Sequence, residues 1–362
     1  MSEKPITGEK RVFMTGNEVV AWAAVAAQAE IMYGYPITPQ NEIMHYWTRL
    51  APKFNKTFLQ TEDELSAGFT TIGGVLAGKK TFTATAGPGT VLMQEPLAMA
   101  EMMRLPVVVV VMQRGGPSTA TVIYSQQEVT LTTFGGNGEG FRIVYSTATH
   151  QDLFDYTIKA FNIAWKYRMP TFVLGDGYQA KMREPLTMYD PEERGVELVK
   201  PEPYVGLPGM PGEERPPGHY RNTYNTEEEL NEVVNDHVKA YEQIQNELPE
   251  HDEFGTENAD LVVVAHGVVA RATKQAVEAL RAEGLNIGYF RPITLRPMPD
   301  QALRAMADRT KKILVVESAQ GQLARLLKES LYGKTVEIVP LFRPGVGVTP
   351  EEVMARSREL VA

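Results

Sequence analysis

The sequence predicts an α/β protein with two domains, the first a doubly wound parallel sheet and the second a smaller α/β unit. Over the first ~180 residues, short apolar runs alternate with helical patterns at the spacing of βαβ units. The continuous β-branched run at 106–112 is typical of a strand buried on both faces of a parallel sheet. A chain of 362 residues is also too long for one typical compact unit, which favours two domains.

The first domain is predicted to contain six strands and the helices between them. Asn17 is expected to cap a helix over 19–29, and Thr38, followed by Pro39 at the first helical position, to cap the next one. An acidic first turn favours a third helix over 62–76. Further helices are predicted at 91–103 and 152–167, and strands at 30–35, 57–61, 80–85, 106–112, 141–146 and 171–174.

The second domain repeats this alternation after a change in composition. We expect the first domain at 1–185, a linker and interdomain arm at 186–257, and the second domain at 258–362. Proline and glycine crowd 201–217, where the alternative is a disordered spacer, and an acidic helix is predicted over 226–247. The second domain is predicted to have strands at 261–265, 287–289, 312–317 and 337–340, with helices at 270–283 and 322–331.

Composition excludes several classes of function. The net charge of −9 disfavours nucleic acid as a partner, because nucleic-acid binding needs a basic face. The most apolar run, 107–112, is far shorter than the ~20 residues of a membrane span, and the N-terminus lacks the apolar stretch of a signal peptide, so we expect a cytoplasmic protein. The chain has no cysteine and no HExxH-type histidine pair, so we expect no metal or iron–sulfur cluster bound by this chain alone.

Unusual residues follow four of the predicted strands. They are YPITP at 35–39, QTEDE at 60–64, TAGPG at 85–89 and QRGGPST at 113–119. Each motif alone has an ordinary structural explanation, such as a tight turn, helix N-terminal charge or a surface salt bridge. In a parallel sheet, however, ligands bind beyond the carboxyl ends of the strands, and Arg114 beside paired glycines suits bidentate binding of a carboxylate. Together the motifs predict an acid/base site for a small anionic substrate.

These motifs, in this order and spacing, resemble the α subunit of 2-oxoacid:ferredoxin oxidoreductases over residues 11–180. In the second domain, HG at 266–267, FRP at 290–292 and LRP at 295–297 resemble the transketolase-C-terminal-like domain of that family. The resemblance implies that the first domain is the pyrimidine-binding domain of a thiamine diphosphate enzyme. The implied reaction converts a 2-oxoacid, coenzyme A and oxidised ferredoxin to acyl-CoA, CO₂ and reduced ferredoxin, or runs reductively.

The resemblance also implies roles for individual residues. Glu64 matches the catalytic glutamate that contacts the aminopyrimidine ring of the cofactor, and burial against an apolar ring is expected to raise its pKa. Arg114 and Thr38 resemble the residues that hold the carboxylate and carbonyl of the 2-oxoacid. Pro36 resembles the residue that lies against the pyrimidine, and Gly87 is expected to line the same pocket.

The rest of the implied active site is expected on another chain. Enzymes of this kind bind the diphosphate and Mg²⁺ with a GDG sequence followed ~25–30 residues later by Asn. The GDG at 175–177 has no Asn at 198–208, so we interpret it as structural. The sites for the diphosphate, Mg²⁺ and a [4Fe–4S] cluster are therefore expected on a partner β subunit. The resemblance is also compatible with further small subunits, and it implies that ferredoxin and coenzyme A are substrates of the complex.

The substrate and two rival functions stay open at this point. Family members that use 2-oxoglutarate commonly carry a Lys-Thr-Glu-Gln stretch after the GGPST motif, whereas 124–128 reads YSQQE; pyruvate, 2-oxoglutarate and branched-chain 2-oxoacids are all compatible. One rival is the β chain of a 2-oxoacid dehydrogenase E1 component, which acylates lipoamide and would show no iron-dependent visible spectrum. The other is a non-catalytic scaffold or nucleotide-binding subunit, in which substitution of Glu64 would be silent.

Overall fold

The structure is a computed structural model that describes residues 5–205 and 220–362. Its strands are β1 Lys10–Thr15, β2 Ile31–Gly34, β3 Thr57–Gln60, β4 Thr81–Thr85, β5 Val108–Gln113, β6 Ile143–Ser146, β7 Thr171–Asp176, β8 Arg183–Met188, β9 His251–Phe254, β10 Leu261–Ala265, β11 Ile287–Pro292, β12 Thr294–Arg296, β13 Lys312–Glu317 and β14 Glu337–Phe342.

The strands are linked mostly by helices, as βαβ connections require. The helices are α1 Gly16–Ala26, α2 Asn41–Leu50, α3 Glu64–Leu76, α4 Pro88–Leu92, α5 Gln94–Met102, α6 Val129–Phe134, α7 His150–Tyr167, α8 Gly177–Lys181, α9 Glu227–Glu247, α10 Val269–Ala282, α11 Asp300–Ala307, α12 Gln322–Ser330 and α13 Pro350–Val361. Within residues 5–205 and 220–362, no helix combines the length and apolar composition needed to span a bilayer.

The larger sheet has seven strands in the order β12-β6-β7-β5-β4-β2-β3, parallel except for β12. The position of β5 at the centre of this sheet explains its apolar sequence. Val108, Val110 and Met112 pack in the cluster that contains α1 and α7, whereas Val109 and Val111 pack with α3 and α5. Both faces are therefore covered by helices, and each fully buried valine contributes about 1.5–3 kcal/mol. The predicted doubly wound parallel sheet is confirmed.

The smaller sheet has the order β14-β13-β10-β11-β9, with only β9 antiparallel to its neighbour. The strand β9 comes from the segment predicted as a linker, and it pairs with β11. Conversely, β12 belongs to the second half of the chain but pairs with β6 in the larger sheet. Each sheet thus receives one edge strand from beyond the boundary that the sequence suggested at 257.

The predicted acidic helix is α9, and it packs on the first domain. Tyr241 and Ile244 are buried in a cluster with Ile143 and Tyr145 of β6. The helix α9 is therefore packed against β6. The predicted proline- and glycine-rich stretch at 201–217 lies outside the described residues from 206 onward.

Two predicted helix caps are wrong. Asn17 lies inside α1, whose cap is Thr15, and the Asn17 side chain instead donates to Pro39 O and Glu42 Oε2. Thr38 does not cap α2, which begins at Asn41. For Asn17 the cause is a tertiary hydrogen bond, because local propensity cannot register a partner that lies 22 residues away.

Candidate active site

The four sequence motifs follow four strands that are neighbours in the larger sheet. The strands β5, β4, β2 and β3 lie side by side and run parallel, so their carboxyl ends lie at one edge. The structure therefore brings the motifs at 35–39, 60–64, 85–89 and 113–119 to one place. This is the edge at which ligands bind in open α/β sheets.

The turn at 35–40 is held by three side chains. Gln40 Nε2 donates to Tyr35 O at 2.9 Å and closes the turn on itself. Asn17 Nδ2 donates to Pro39 O at 2.7 Å, and Arg114 Nη1 donates to Thr38 O at 2.9 Å. Thr38 is thus joined to Arg114 through its backbone carbonyl, as part of a fixed rim.

Glu64 is the first residue of α3, and its carboxyl group is buried beneath the glycine turn. Asp63 caps the helix by accepting from Ser66 N at 2.7 Å, which leaves Glu64 free to point inward with an exposed fraction of 4%. Burial raises the pKa of Glu64, and the neighbouring negative charge of Asp63 adds to this, whereas Arg114 opposes it. The Glu64 carboxyl therefore keeps its proton to a higher pH than an exposed glutamate.

The turn at 87–89 requires glycine because it touches both charged groups. A Cβ on Gly89 would lie 2.4 Å from Glu64 Oε1, and one on Gly87 would lie 2.5 Å from Arg114 Nε. Gly87 also has a φ of +53°, which disfavours any residue with a side chain. Glu64 and Arg114 therefore both line this one turn.

Arg114 is buried and has an unused donor. Its exposed fraction is 4%, yet its Nε has no hydrogen-bond partner among the described residues, and the same holds for Thr85 Oγ1 beside Gly89. A buried polar group without a partner costs about 1–3 kcal/mol. A carboxylate ligand would supply the missing acceptor. The donor set therefore fits an anionic substrate, and the buried Glu64 carboxyl, whose pKa is raised, fits a heterocycle with a ring nitrogen.

Pro36 and Thr38 lie at the rim. Pro36 is exposed at the end of β2, and Thr38 is half-buried. Both follow the same strand, within the turn that Arg114 holds. Their contacts with a ligand belong to the proposal below.

Sequence reasoning missed Glu128. This buried carboxylate accepts from Gly87 N at 2.8 Å with Oε1 and from Arg114 N at 2.9 Å with Oε2. Burial raises the pKa of Glu128, while hydrogen bonds from the backbone and the charge of Arg114 lower it. The available signal was a single acidic residue in the otherwise uncharged loop at 115–128.

The GDG sequence at 175–177 has a structural role, because its aspartate caps a helix. Asp176 Oδ1 accepts from Tyr178 N and Gln179 N, both at 3.0 Å, and so caps α8. The side chain is 1% exposed. Among the described residues no group of three or more His, Cys, Asp or Glu side chains is placed to hold a metal ion. These contacts support the structural interpretation of the motif.

We expect Asp176→Asn to change how stability depends on pH. Burial raises the pKa of Asp176 to about 7, so the stability that its protonated form provides is present at pH 4 and is lost as the pH rises through 7. Asparagine can still cap the helix but does not titrate. The stability of the variant relative to wild type is therefore expected to rise by at least about 1 kcal/mol between pH 5 and pH 8, measured by urea unfolding.

The matched control is Asp63→Asn, a second capping aspartate whose pKa is lowered by the Ser66 backbone N–H. The sign is opposite there, because stability is lost only as the pH falls through the lowered pKa. Parallel curves for Asp176→Asn and wild type from pH 5 to pH 8 would contradict the assignment of a raised pKa to Asp176.

Family comparisons agree with the fold. Residues 22–252 match the family model described as pyruvate flavodoxin/ferredoxin oxidoreductase, thiamine diphosphate-binding, and residues 259–353 match pyruvate:ferredoxin oxidoreductase core domain II. The fold and the family match thus define a thiamine-diphosphate-binding α/β protein.

Individual relatives are similar over most of their length. The 2-oxoglutarate synthase subunit KorA of Methanocaldococcus jannaschii is 37% identical over 86% of this chain and 89% of its own. The ketoisovalerate oxidoreductase subunit VorB of Methanothermobacter thermautotrophicus is 32% identical over 90% of this chain and 91% of its own. A solved 2-oxoglutarate:ferredoxin oxidoreductase from Magnetococcus marinus, with 2-oxoglutarate, coenzyme A and succinyl-CoA bound, matches at 28% identity with a TM-score of 0.89. The match covers 97% of this chain and 65% of that longer chain.

The chain belongs to the α subunits of the 2-oxoacid:ferredoxin oxidoreductases. This confirms the family, the fold class and the enzyme class that the four motifs led us to expect.

Proposed function

We propose that this chain supplies the pyrimidine-side half of a thiamine diphosphate active site that oxidatively decarboxylates a 2-oxoacid to an acyl-CoA, with ferredoxin as electron acceptor. The observation that carries the proposal is the pairing of two buried groups on one glycine turn. Glu64 is a carboxyl group with a raised pKa, and Arg114 is a cation with an unused donor. Acid/base chemistry on a small anionic substrate needs these two kinds of group together.

Glu64 would hold the cofactor. Thiamine diphosphate, when bound, supplies the electron sink for decarboxylation. A buried glutamate with a raised pKa can share a proton with a ring nitrogen, and its buried position strengthens that hydrogen bond by excluding water. Gly87 and Gly89 leave room for the ring because they add no side chain above Glu64 and Arg114. Pro36, at the rim of the same edge, would lie against the ring.

Arg114 would bind the carboxylate of the 2-oxoacid. Its Nη1 is fixed by Thr38 O, so the guanidinium plane is set before the substrate arrives, and Nε remains available as a donor. Charge-assisted bonds of this kind are about twice as strong as neutral ones. Thr38 would contact the substrate's carbonyl from the same turn.

A partner β subunit would hold the remaining groups. The chain has no cysteine for a [4Fe–4S] cluster, and Asp176 of the GDG sequence is occupied as a helix cap. Relatives are named as subunits, which supports a complex of more than one chain. We therefore assign the diphosphate, Mg²⁺ and cluster to the partner, and a cytoplasmic location goes with the use of coenzyme A and ferredoxin.

We also propose a division of the chain into a cofactor domain at 1–185, an arm at 186–257 and a second domain at 258–362. The two sheets and the two family matches support it. The exchanged edge strands β9 and β12 cross these boundaries and would tie the domains together.

The split site predicts how thiamine diphosphate binds. We expect the isolated chain to bind the cofactor at least ~100-fold more weakly than the complex with its partner, and without dependence on Mg²⁺, because the diphosphate and metal contacts lie on the other chain. Isothermal titration calorimetry with and without Mg²⁺ measures both. Tight, Mg²⁺-dependent binding by the isolated chain would contradict the proposal.

The substrate pocket is proposed to favour a 2-oxoacid with an uncharged side chain. The segment 117–128 contains no Lys or Arg, and it packs at the site, since Gln127 Oε1 accepts from Gly116 N and Thr121 lies against Gly115. A second substrate carboxylate buried here would lack a cationic partner, which is costly.

We therefore expect kcat/KM of the complex to be at least ~10-fold higher for pyruvate or a branched-chain 2-oxoacid than for 2-oxoglutarate. A panel of 2-oxoacids with ferredoxin or a viologen as acceptor tests this. A preference for 2-oxoglutarate would mean that another chain or segment supplies the cation.

A further inference from the structure

We infer that residues 125–130, called here the bracing segment, connect the second domain to the active site, and that Glu128 in this segment is the residue that positions Arg114 and the Gly87 turn. The inference rests on the proposed function, because it concerns how the proposed substrate-binding group is held. It assigns to Glu128 no contact with the substrate.

One side of the bracing segment faces the site. The two oxygens of Glu128 accept from different motifs, Oε1 from Gly87 N at 2.8 Å and Oε2 from Arg114 N at 2.9 Å. The adjacent Gln127 accepts from Gly116 N at 3.2 Å, and the Glu128 backbone N–H donates to Gln113 Oε1 at 3.3 Å. Neighbouring strand ends, those of β4 and β5, are thus joined by one side chain.

The other side faces the second domain. Gln126 and Ser318 exchange two bonds, from Gln126 N to Ser318 O at 3.0 Å and from Ser318 N to Gln126 Oε1 at 2.9 Å. Gln126 Nε2 also donates to His266 O at 2.8 Å. Gln322 adds a further pair, accepting from Thr130 N at 2.8 Å and donating to Gln127 O at 2.7 Å. The segment is therefore fixed on both sides by buried or partly buried hydrogen bonds.

The chemistry of the position requires a carboxylate. Two backbone N–H groups point at the side chain from different loops, so both of its terminal atoms must be acceptors. A glutamine would present an NH₂ group to one of those N–H donors, leaving a buried donor without a partner. The Glu128 carboxyl group also interacts with the charged Arg114 guanidinium: burial raises the pKa of Glu128, and the charge of Arg114 opposes that rise. Glu128 thus acts through Arg114, in both geometry and charge.

The test compares Glu128→Gln with Glu101→Gln in the complex with the partner subunit. Glu101 is a matched control, since it is buried and also accepts two bonds, but from the Arg142 guanidinium at 2.6 and 2.8 Å. We expect Glu128→Gln to raise KM for the 2-oxoacid at least ~10-fold with a smaller change in kcat. Glu101→Gln is expected to lower Tm while KM stays within about twofold of wild type. Glu128→Asp retains the carboxyl group and replaces Glu128→Gln in the test if that variant does not fold. It is expected to give a smaller rise in KM.

The second part of the test repeats Glu128→Gln in the Arg114→Ala background. If Glu128 acts through Arg114, Glu128→Gln should change kcat/KM far less in the Arg114→Ala background than in wild type. Equal KM values for Glu128→Gln, Glu101→Gln and wild type, alongside a defective Arg114→Ala, would overturn the positioning role alone. Wild-type kinetics for Arg114→Ala would overturn the proposed site, and the positioning role with it.

Discussion

Glu64→Gln is expected to lower kcat of the reconstituted complex at least ~100-fold, because general acid–base groups typically contribute factors of 10²–10⁴. Glutamine is nearly isosteric and keeps the packing beneath Gly89, but it has no ionisable proton to share with the cofactor ring. Steady-state turnover with saturating thiamine diphosphate and a 2-oxoacid measures the effect. Saturation ensures that weaker cofactor binding does not account for the whole loss.

The control for this variant is Glu62→Gln. Glu62 lies two residues earlier and is exposed, and its side chain accepts a hydrogen bond from the Ser66 hydroxyl at 3.1 Å. We expect its turnover to match wild type within about twofold. Turnover of Glu64→Gln equal to that of Glu62→Gln would favour the scaffold alternative over a catalytic subunit.

Arg114→Ala is expected to raise KM for the 2-oxoacid at least ~10-fold or to abolish turnover, because the substrate loses a charge-assisted partner of about 1.5–3 kcal/mol. The variant also frees Thr38 O, so the turn at 35–40 loses one of its three supports. Arg114→Lys keeps the positive charge without the planar fork and should give an intermediate KM. The measurement is the dependence of initial rate on 2-oxoacid concentration.

Arg358→Ala is the surface control for this experiment. Arg358 is half-exposed and pairs with Glu283 in the second domain, so its loss should leave KM unchanged. Wild-type kinetics for Arg114→Ala would remove Arg114 from the site.

The parts of the fold that sequence could predict are those set by local pattern. The run at 106–112 predicted β5 because a short apolar run rich in β-branched residues is typical of a strand covered on both faces. The strands β1 and β8 were missed because they pair with each other across more than 150 residues as a separate two-stranded sheet. The three-residue β12 was missed for a similar reason, since its partner β6 lies in the other domain.

The location of the site could be predicted from the topology of the sheet. The residues that hold the site in place could not be predicted. Residues that follow parallel strands meet at one edge whatever their sequence separation, so Glu64 and Arg114 could be paired in advance. Asp63, one residue earlier, proves to be the helix cap, a distinction that charge alone did not make. Glu128 was missed because its partners are backbone N–H groups 14 and 41 residues away, which carry no side-chain signature.

The contact between Glu64 and the coenzyme is tested most directly by an experimental structure of the complex with its partner subunit, thiamine diphosphate and Mg²⁺. We expect a Glu64 carboxyl oxygen within about 3.2 Å of a nitrogen of the aminopyrimidine ring, with the diphosphate bound entirely by the partner. A coenzyme ring bound elsewhere, with the Glu64 carboxyl still enclosed beneath Gly89, would contradict the account.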